Sequence, residues 1–438
     1  MMSANLPLLS TATALDSPLV WHNRAPISCA AFLRQVAGIA RHLPNTRFIF
    51  NLCEDRYRFM AVFAAVGVNG QTNLLPSSRA DRHLQQLATA YPDSAAVVDA
   101  QVAAWLALET ADDDLPPAIP ELPAAQITAI AFTSGSTGQS RPHPKTWGEL
   151  VNGAQQARQR FGFATGMNIV ATVPPQHMYG LETSIMAPLA GGVSVHAGRP
   201  FFPDDVRIAL LETPERRVLV TTPVHLQACV TAGLRWQATA LLISATAPLS
   251  LELAAQAEAA FDAPVLEIYG CTEAGSIASR RTLHGNRWRL YDGFALDDGR
   301  LSGAHLPEPV VLGDVVEACS ATEFRLLGRS EDLINIAGKR SSLAYLNHQL
   351  NGITGVVEGV FLMPAETGTG VDRLMALAVA PELSERQLLA ALAERLDPVF
   401  LPRPLLKVEA LPRNETGKIT RESLLLLIAQ RRPVADAH

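Results

Sequence analysis

Four stretches of the chain carry residue types that could do chemistry together. The first is Thr133-Ser134-Gly135-Ser136-Thr137-Gly138, six small residues that follow the apolar run Ile130-Ala131-Phe132. Small residues let successive backbone N–H groups turn inward and form an anion-binding nest. The hydroxyls of Thr133, Ser134, Ser136 and Thr137 add donors, and Arg141 and Lys145 bring positive charge shortly after. A polyphosphate needs that combination. The loop is not a Walker motif, because Gly138 is followed by Gln139 rather than lysine. From the loop alone, a flexible Ser/Gly turn reads equally well.

The second stretch, Tyr269-Gly270-Cys271-Thr272-Glu273, ends an apolar run. Its aromatic ring offers a stacking face, and its carboxylate suits a hard cation that bridges phosphates. A tight turn with a surface glutamate is the plainer alternative. Third come Asp314 and, fifteen positions on, Arg329, which by themselves would be an ordinary surface ion pair. The fourth is Leu411-Pro412-Arg413-Asn414-Glu415-Thr416-Gly417-Lys418-Ile419, where a lysine follows a glycine just before a helical pattern. Lysine is a compact charge on a flexible stem, able to bridge a carboxylate and a phosphate.

In order and spacing, these stretches resemble the adenylate-forming superfamily of acyl-CoA synthetases, peptide-synthetase adenylation domains and firefly luciferase. The resemblance runs from Ile127 to Ile419 and is only general before that. It implies ATP and Mg²⁺ as cofactors, with the loop from Thr133 to Gly138 around the phosphates. It further implies that Tyr269 stacks on adenine, Thr272 contacts the α-phosphate and Glu273 helps hold the metal. Ser244-Ala245-Thr246-Ala247-Pro248 is similar to the segment whose backbone frames the adenine and acyl pocket. Asp314 and Arg329 would bind the ribose, and Glu331 falls at the interdomain hinge. Gly338 would line the thiol tunnel, and Lys418 would be the catalytic lysine. His177, in Pro174-Pro175-Gln176-His177-Met178-Tyr179-Gly180, would gate the acyl pocket or line the thiol path; a lone histidine beside apolar residues is equally a structural one.

Two departures stand out. The family usually continues its phosphate loop as Gly-x-Pro-Lys, where this chain has Gln139-Ser140-Arg141. The chain is also short, like the compact ligases found beside bacterial aryl-polyene and xanthomonadin-type pigment pathways, which it resembles. The expected activity is ATP-dependent activation of a small carboxylic acid, aryl or acyl. Pyrophosphate is released, and the acyl group passes to the thiol of coenzyme A or of the phosphopantetheine on an acyl carrier protein. Two alternatives stay open: adenylation without thiol transfer, and a non-catalytic adenylate-binding module.

Such residues need a scaffold to bring them together. Apolar runs at 127–132, 169–173, 218–222, 241–244 and 265–269 read as strands, and 147–161, 224–232 and 251–261 read as helices. Alternation of this kind indicates an α/β fold of mostly parallel sheets covered by helices. Ligands then bind beyond the carboxyl ends of the strands, where each of the motifs up to Glu273 begins. After Gly328-Arg329 the pattern restarts as a small α+β region. The expected division is a large N-terminal domain, 1–329, and a small mobile lid domain, 330–438. Pro116, Pro117, Pro120 and Pro123 read as a linker.

Composition sets the outer bounds. The 438 residues are 48% hydrophobic with a net charge of −6, and no basic run is interleaved with aromatics, so nucleic acid is not an expected partner. Cys29, Cys53, Cys229, Cys271 and Cys319 form no Cys-x-x-Cys pair, which argues against a zinc site or a disulfide framework. No apolar stretch approaches the ~18 residues of a membrane span. A reduced, cytoplasmic protein is expected.

Overall fold

The computed structural model describes residues 5–108, 117–134, 140–297, 299–303, 306, 308–329, 333–336, 339–363, 374–413 and 419–431. The fold is α/β, and the chain divides into two compact units. The larger comprises 1–296, 301–310 and 321–323; the smaller comprises 297–300, 311–320 and 324–438.

Within the larger unit, the strands labelled here are β1 (Ile127–Ser134), β2 (Ser140–Thr146), β3 (Asn168–Ala171), β4 (Arg217–Thr221), β5 (Thr239–Ser244), β6 (Val265–Cys271) and β7 (Gly275–Arg281). Strands β3, β4, β5 and β6 lie side by side and parallel, and β7 returns antiparallel to β6. Their residues are mostly apolar and almost all buried, as parallel strands covered on both faces must be. Leu219, Leu242 and Val265 from this sheet pack with Leu226, Leu253 and Phe261 from the helices Pro223–Thr231 and Leu251–Phe261 in one core. Burying each such side chain contributes about 1.5–3 kcal/mol, so the strand ends are held rigidly.

A second sheet is built on the parallel strands Phe48–Asn51 and Thr72–Leu75, with β1 beside the latter and β2 at the edge. Phe50, Leu74, Ile130 and Phe132 form its apolar cluster. The sequence reads a polar Gly/Ser/Thr loop after Phe132 and no strand before the helix at Trp147, yet β2 is a seven-residue strand containing Pro142 and Pro144. Both prolines are spaced by two on an edge strand, where a missing N–H can face away from the ladder. Helix α1 (Trp147–Phe161) starts at once after β2. Thr146 and Glu149 cap it reciprocally, with Glu149 N to Thr146 Oγ1 at 3.2 Å and Thr146 N to Glu149 Oε2 at 2.7 Å.

The proline-rich stretch is not wholly irregular. Glu121–Pro123 pairs antiparallel with Asn5–Pro7 in a two-stranded ribbon. A short ribbon tolerates proline because each of its strands has one unpaired edge.

In the smaller unit, β8 (Asp314–Ala318) pairs antiparallel with β9 (Glu323–Arg329). Two further strands, Leu333–Ile336 and Lys339–Ser342, form a hairpin. Beyond them, Glu358–Leu362, Met375–Val379 and Leu405–Lys407 make a three-stranded sheet. Phe361 and Ala376 there share a core with Leu346 and Leu350 of the helix Leu343–Asn351 and with Leu388 and Leu392 of the helix Glu385–Ala393. Among the described residues no helix is long and apolar enough to cross a membrane.

Candidate active site

The site is clearest around the β6–β7 hairpin. Register pairs Tyr269 with Ala278, Gly270 with Ser276 and Cys271 with Gly275, so Thr272, Glu273 and Ala274 form the turn. Both glycines are sterically required. A Cβ on Gly270 would lie 2.3 Å from the Gly275 carbonyl oxygen, and Gly275 itself has φ +75°. Tyr269 tilts against Trp288 with ring centroids 5.7 Å apart, and Trp288 also carries the Arg280 guanidinium over its ring at 4.6 Å.

Side chains from two other elements hold this turn. Lys145, buried on β2, donates from Nζ to the Glu273 carbonyl oxygen at 2.5 Å. The buried His143 on the same strand reaches the Glu273 carboxylate, Nδ1 to Oε1 being 3.7 Å. Its Nε2 lies 2.9 Å from Thr133 Oγ1. Burial pushes the imidazole below its ordinary pKa; Glu273 opposes that shift, and Arg141 and Lys145 reinforce it. From the far side, Glu182 accepts from Ser276 N at 3.1 Å and from Ser276 Oγ at 2.5 Å. Burial raises the Glu182 carboxyl, against the two Ser276 hydrogen bonds and the charge of Lys145.

Glu182 stands where the short helix α2 (Met178–Leu181) passes into a π-helical turn, Glu182–Met186. Thr183 and Ser184 hydroxyls donate back to the Tyr179 and Gly180 carbonyls, each at 2.5 Å. Back-bonding of this kind loosens the regular ladder, and π turns of this sort often occur at functional sites. His177 occupies the N-cap position of α2 without a side-chain capping hydrogen bond. The motif glycine Gly180 cannot be replaced, since its Cβ would sit 1.9 Å from the Pro174 carbonyl oxygen. Fully buried Arg56 ties β3 to this segment, donating to the Ala171 and Val173 carbonyls at 2.8 Å each and to Ser184 Oγ. Burial lowers its pKa to about 9, which still leaves the guanidinium charged at neutral pH. A cavity lined by Lys145, Met178, Glu182, Gly275, Ser276 and Leu306 lies beside the turn.

The Ser244–Pro248 segment leaves the end of β5, and Thr246 holds φ +80°, a left-handed conformation that is costly for a β-branched residue. Glu267 anchors the segment by accepting from Leu249 N at 3.0 Å. The Ser244 hydroxyl is buried with no partner among the described residues.

The fold therefore brings together Thr133, Lys145, Thr272 and Glu273, with exposed Arg141 directly opposite Thr133 in the β1–β2 register. In the smaller unit the β8–β9 register sets Asp314 directly opposite Arg329, whose side chain lies outside the described residues. Also outside them are Gly135, Ser136, Thr137, Gly138, Glu331, Gly338, Lys418 and the side chain of Ser134. Sequence reasoning missed His143, Glu182 and Ser276. Their partners are distant in the chain, and the only available signal was the alternation of Arg141, His143 and Lys145 on one face of an extended strand.

The family model of AMP-binding enzymes matches residues 44–298. The chain belongs to that adenylate-forming family. A 4-coumarate–CoA ligase from Rhodobacter capsulatus is 29% identical over 299 residues, covering 66% of this chain and 74% of that protein. A 2-succinylbenzoate–CoA ligase from Staphylococcus epidermidis is 23% identical over 332 residues, covering 68% of this chain and 69% of that protein. Among solved structures, ATP-bound MatB from Rhodopseudomonas palustris superposes with a TM-score of 0.80 at 17% identity, covering 95% of this chain and 96% of that one. MenE from Bacillus subtilis with its acyl-adenylate superposes at 0.81 and 16% identity, covering 99% of each chain. Both structures share the fold, a large N-terminal domain followed by a smaller C-terminal one.

Proposed function

We propose that this enzyme activates a small carboxylic acid as its acyl-adenylate and passes the acyl group to the thiol of coenzyme A. The observation that carries the reading is the convergence of Thr133, the first residue of the phosphate-loop motif, with Lys145 and Glu273 around His143. The CoA-ligase names of the relatives support the acceptor. The phosphopantetheine of an acyl carrier protein presents the same thiol and is the alternative acceptor. The 4-coumarate–CoA ligase relative favours an aryl acid.

A carboxylate is ionised at neutral pH, so its attack on the α-phosphorus of ATP needs no general base. The protein has to align the two anions and offset the charge that develops as pyrophosphate leaves. In this reading the Thr133–Gly138 loop and Arg141 bind the phosphates, Tyr269 and the Ser244–Ala245 segment bind the adenine, and Asp314 and Arg329 bind the ribose. Thr272 orients the α-phosphate, and Gly270 lets the motif strand approach closely. Glu273 fits a Mg²⁺ ion that keeps most of its shell as phosphate and water oxygens. Its side chain is 39% exposed, and no cluster of three or more potential ligands surrounds it among the described residues. A bound Mg²⁺ would supply charge neutralisation to the polyphosphate. Lys418 bridges the attacking carboxylate and the phosphate. The domain 330–438 then turns about Glu331, withdrawing Lys418 and bringing in Gly338 and the thiol, with His177 at the acyl pocket; such hinge motions are common in ligand-closing enzymes.

Incubation with ATP, Mg²⁺ and a panel of aryl and alkyl acids, with coenzyme A or a phosphopantetheinylated carrier, tests this directly. AMP, pyrophosphate and an acyl-CoA in equal amounts are expected. Orthophosphate as the only phosphate product would overturn the reading.

A further inference from the structure

His143 lies outside every motif the sequence singles out, yet it touches two of them. Its imidazole is 6% exposed and sits between the Thr133 hydroxyl, 2.9 Å from Nε2, and the Glu273 carboxylate, 3.7 Å from Nδ1. A neutral imidazole carries one N–H. The consistent arrangement has Thr133 donating to bare Nε2, with the Nδ1 hydrogen aimed at Glu273. At 3.7 Å the second contact is longer than a hydrogen bond, and such contacts often tighten once the ligand is bound.

Two residues along β2, Lys145 holds the main-chain carbonyl of the same glutamate. One strand face thus meets Glu273 twice, holding its backbone through Lys145 and facing its carboxylate with His143. The same imidazole ties that carboxylate to the residue that opens the phosphate loop.

We propose that His143 is a positioning residue that aims the Glu273 carboxylate toward metal-bound phosphate. It acts through Glu273 and Thr133 rather than by touching ATP. The assignment rests on the metal-binding role proposed for Glu273 above, and it makes β2, a strand hidden behind two prolines, part of the nucleotide machinery.

The test compares His143→Gln, His143→Asn and His143→Phe in the full chain. Calorimetric titration measures ATP with Mg²⁺ and, separately, AMP in EDTA; thermal melting checks the fold. Glutamine can span both partners and should bind Mg·ATP within about threefold of wild type. Asparagine is too short to reach both, and phenylalanine can bond neither. Each should weaken Mg·ATP about tenfold, the scale of a hydrogen bond to a charged group. AMP without metal should move by less than about twofold. Equal weakening of both ligands would mark a merely structural histidine and overturn the proposal, as would unchanged Mg·ATP affinity. If the phenylalanine variant does not fold, the asparagine variant carries the same comparison. Should wild type release no pyrophosphate with any acid, the assigned activity fails while the contrast between Mg·ATP and AMP still decides the role of His143.

Discussion

Replacing Gly275 by alanine should disrupt the β6–β7 turn by a calculable amount. Gly275 has φ +75°, and an added Cβ would stand 2.1 Å from Glu182 Oε1. Neither group can yield cheaply, because the glycine is in the hairpin ladder opposite Cys271 and the carboxylate accepts from Ser276 N and Oγ. The left-handed backbone alone costs an alanine about 1 kcal/mol. Driving the carboxylate off its donors adds about 2 kcal/mol, the scale of a charge-assisted hydrogen bond. Gly70 provides the control, with φ +71° and nothing within 4 Å of its Cβ position. Gly70→Ala should therefore lose about 1 kcal/mol and Gly275→Ala about 3 kcal/mol. In thermal unfolding of a chain this large the second should melt roughly 3 °C below the first. Adding Glu182→Ala to Gly275→Ala should recover part of the loss, with a coupling of about 1 kcal/mol or more. Equal melting temperatures for the two alanine variants, or strict additivity in the pair, would refute the steric argument.

Other perturbations follow from the proposed roles and from the structure. Glu273→Gln should raise the Mg²⁺ concentration for half-maximal pyrophosphate exchange by about tenfold, and unchanged metal dependence would remove Glu273 as the metal carboxylate. Lys418→Ala should cripple adenylation yet spare thioester formation from supplied acyl-AMP; equal loss in both steps would contradict its role. Glu331→Pro should do the reverse by stiffening the hinge, so intact thioester formation would exclude it as the pivot. Glu258 is held below its ordinary pKa, chiefly by the hydrogen bonds from Arg281 at 2.9 and 2.5 Å. A depressed carboxylate stabilises the fold above its unfolded pKa, and that contribution fades as pH falls through the folded value. Glu258→Gln should therefore cost about 1 kcal/mol at pH 7 in urea unfolding and almost nothing below the folded pKa; a pH-independent deficit would contradict the ion pair.

Much of this architecture was legible because the residues that specify it act locally. Helices Trp147–Phe161 and Leu251–Phe261 match the sequence reading end to end, since each has its own cap and apolar periodicity. The strands ending at Ser244 and Cys271 announced themselves as apolar runs that stop at small residues. Gly180 and Gly270 were conspicuous in their motifs for a reason the fold explains, the near contact of neighbouring backbone. Strand β2 was hidden because two prolines in seven residues suppress a strand reading, and only an edge position makes them harmless. Glu182 and His143 were hidden because their partners Ser276 and Glu273 lie 94 and 130 positions away. No local pattern encodes such pairings. The Asp314–Arg329 spacing was visible, but only the antiparallel register of β8 and β9 sets the two residues opposite each other.

The central claim is that a carboxylate oxygen of the substrate bonds to the α-phosphorus of ATP. Single-turnover reaction of an acid labelled with ¹⁸O in its carboxylate, with mass analysis of the nucleotide and phosphate products, follows that oxygen. The account predicts one labelled oxygen in AMP and none in pyrophosphate. Unlabelled AMP, or label in orthophosphate, would contradict it.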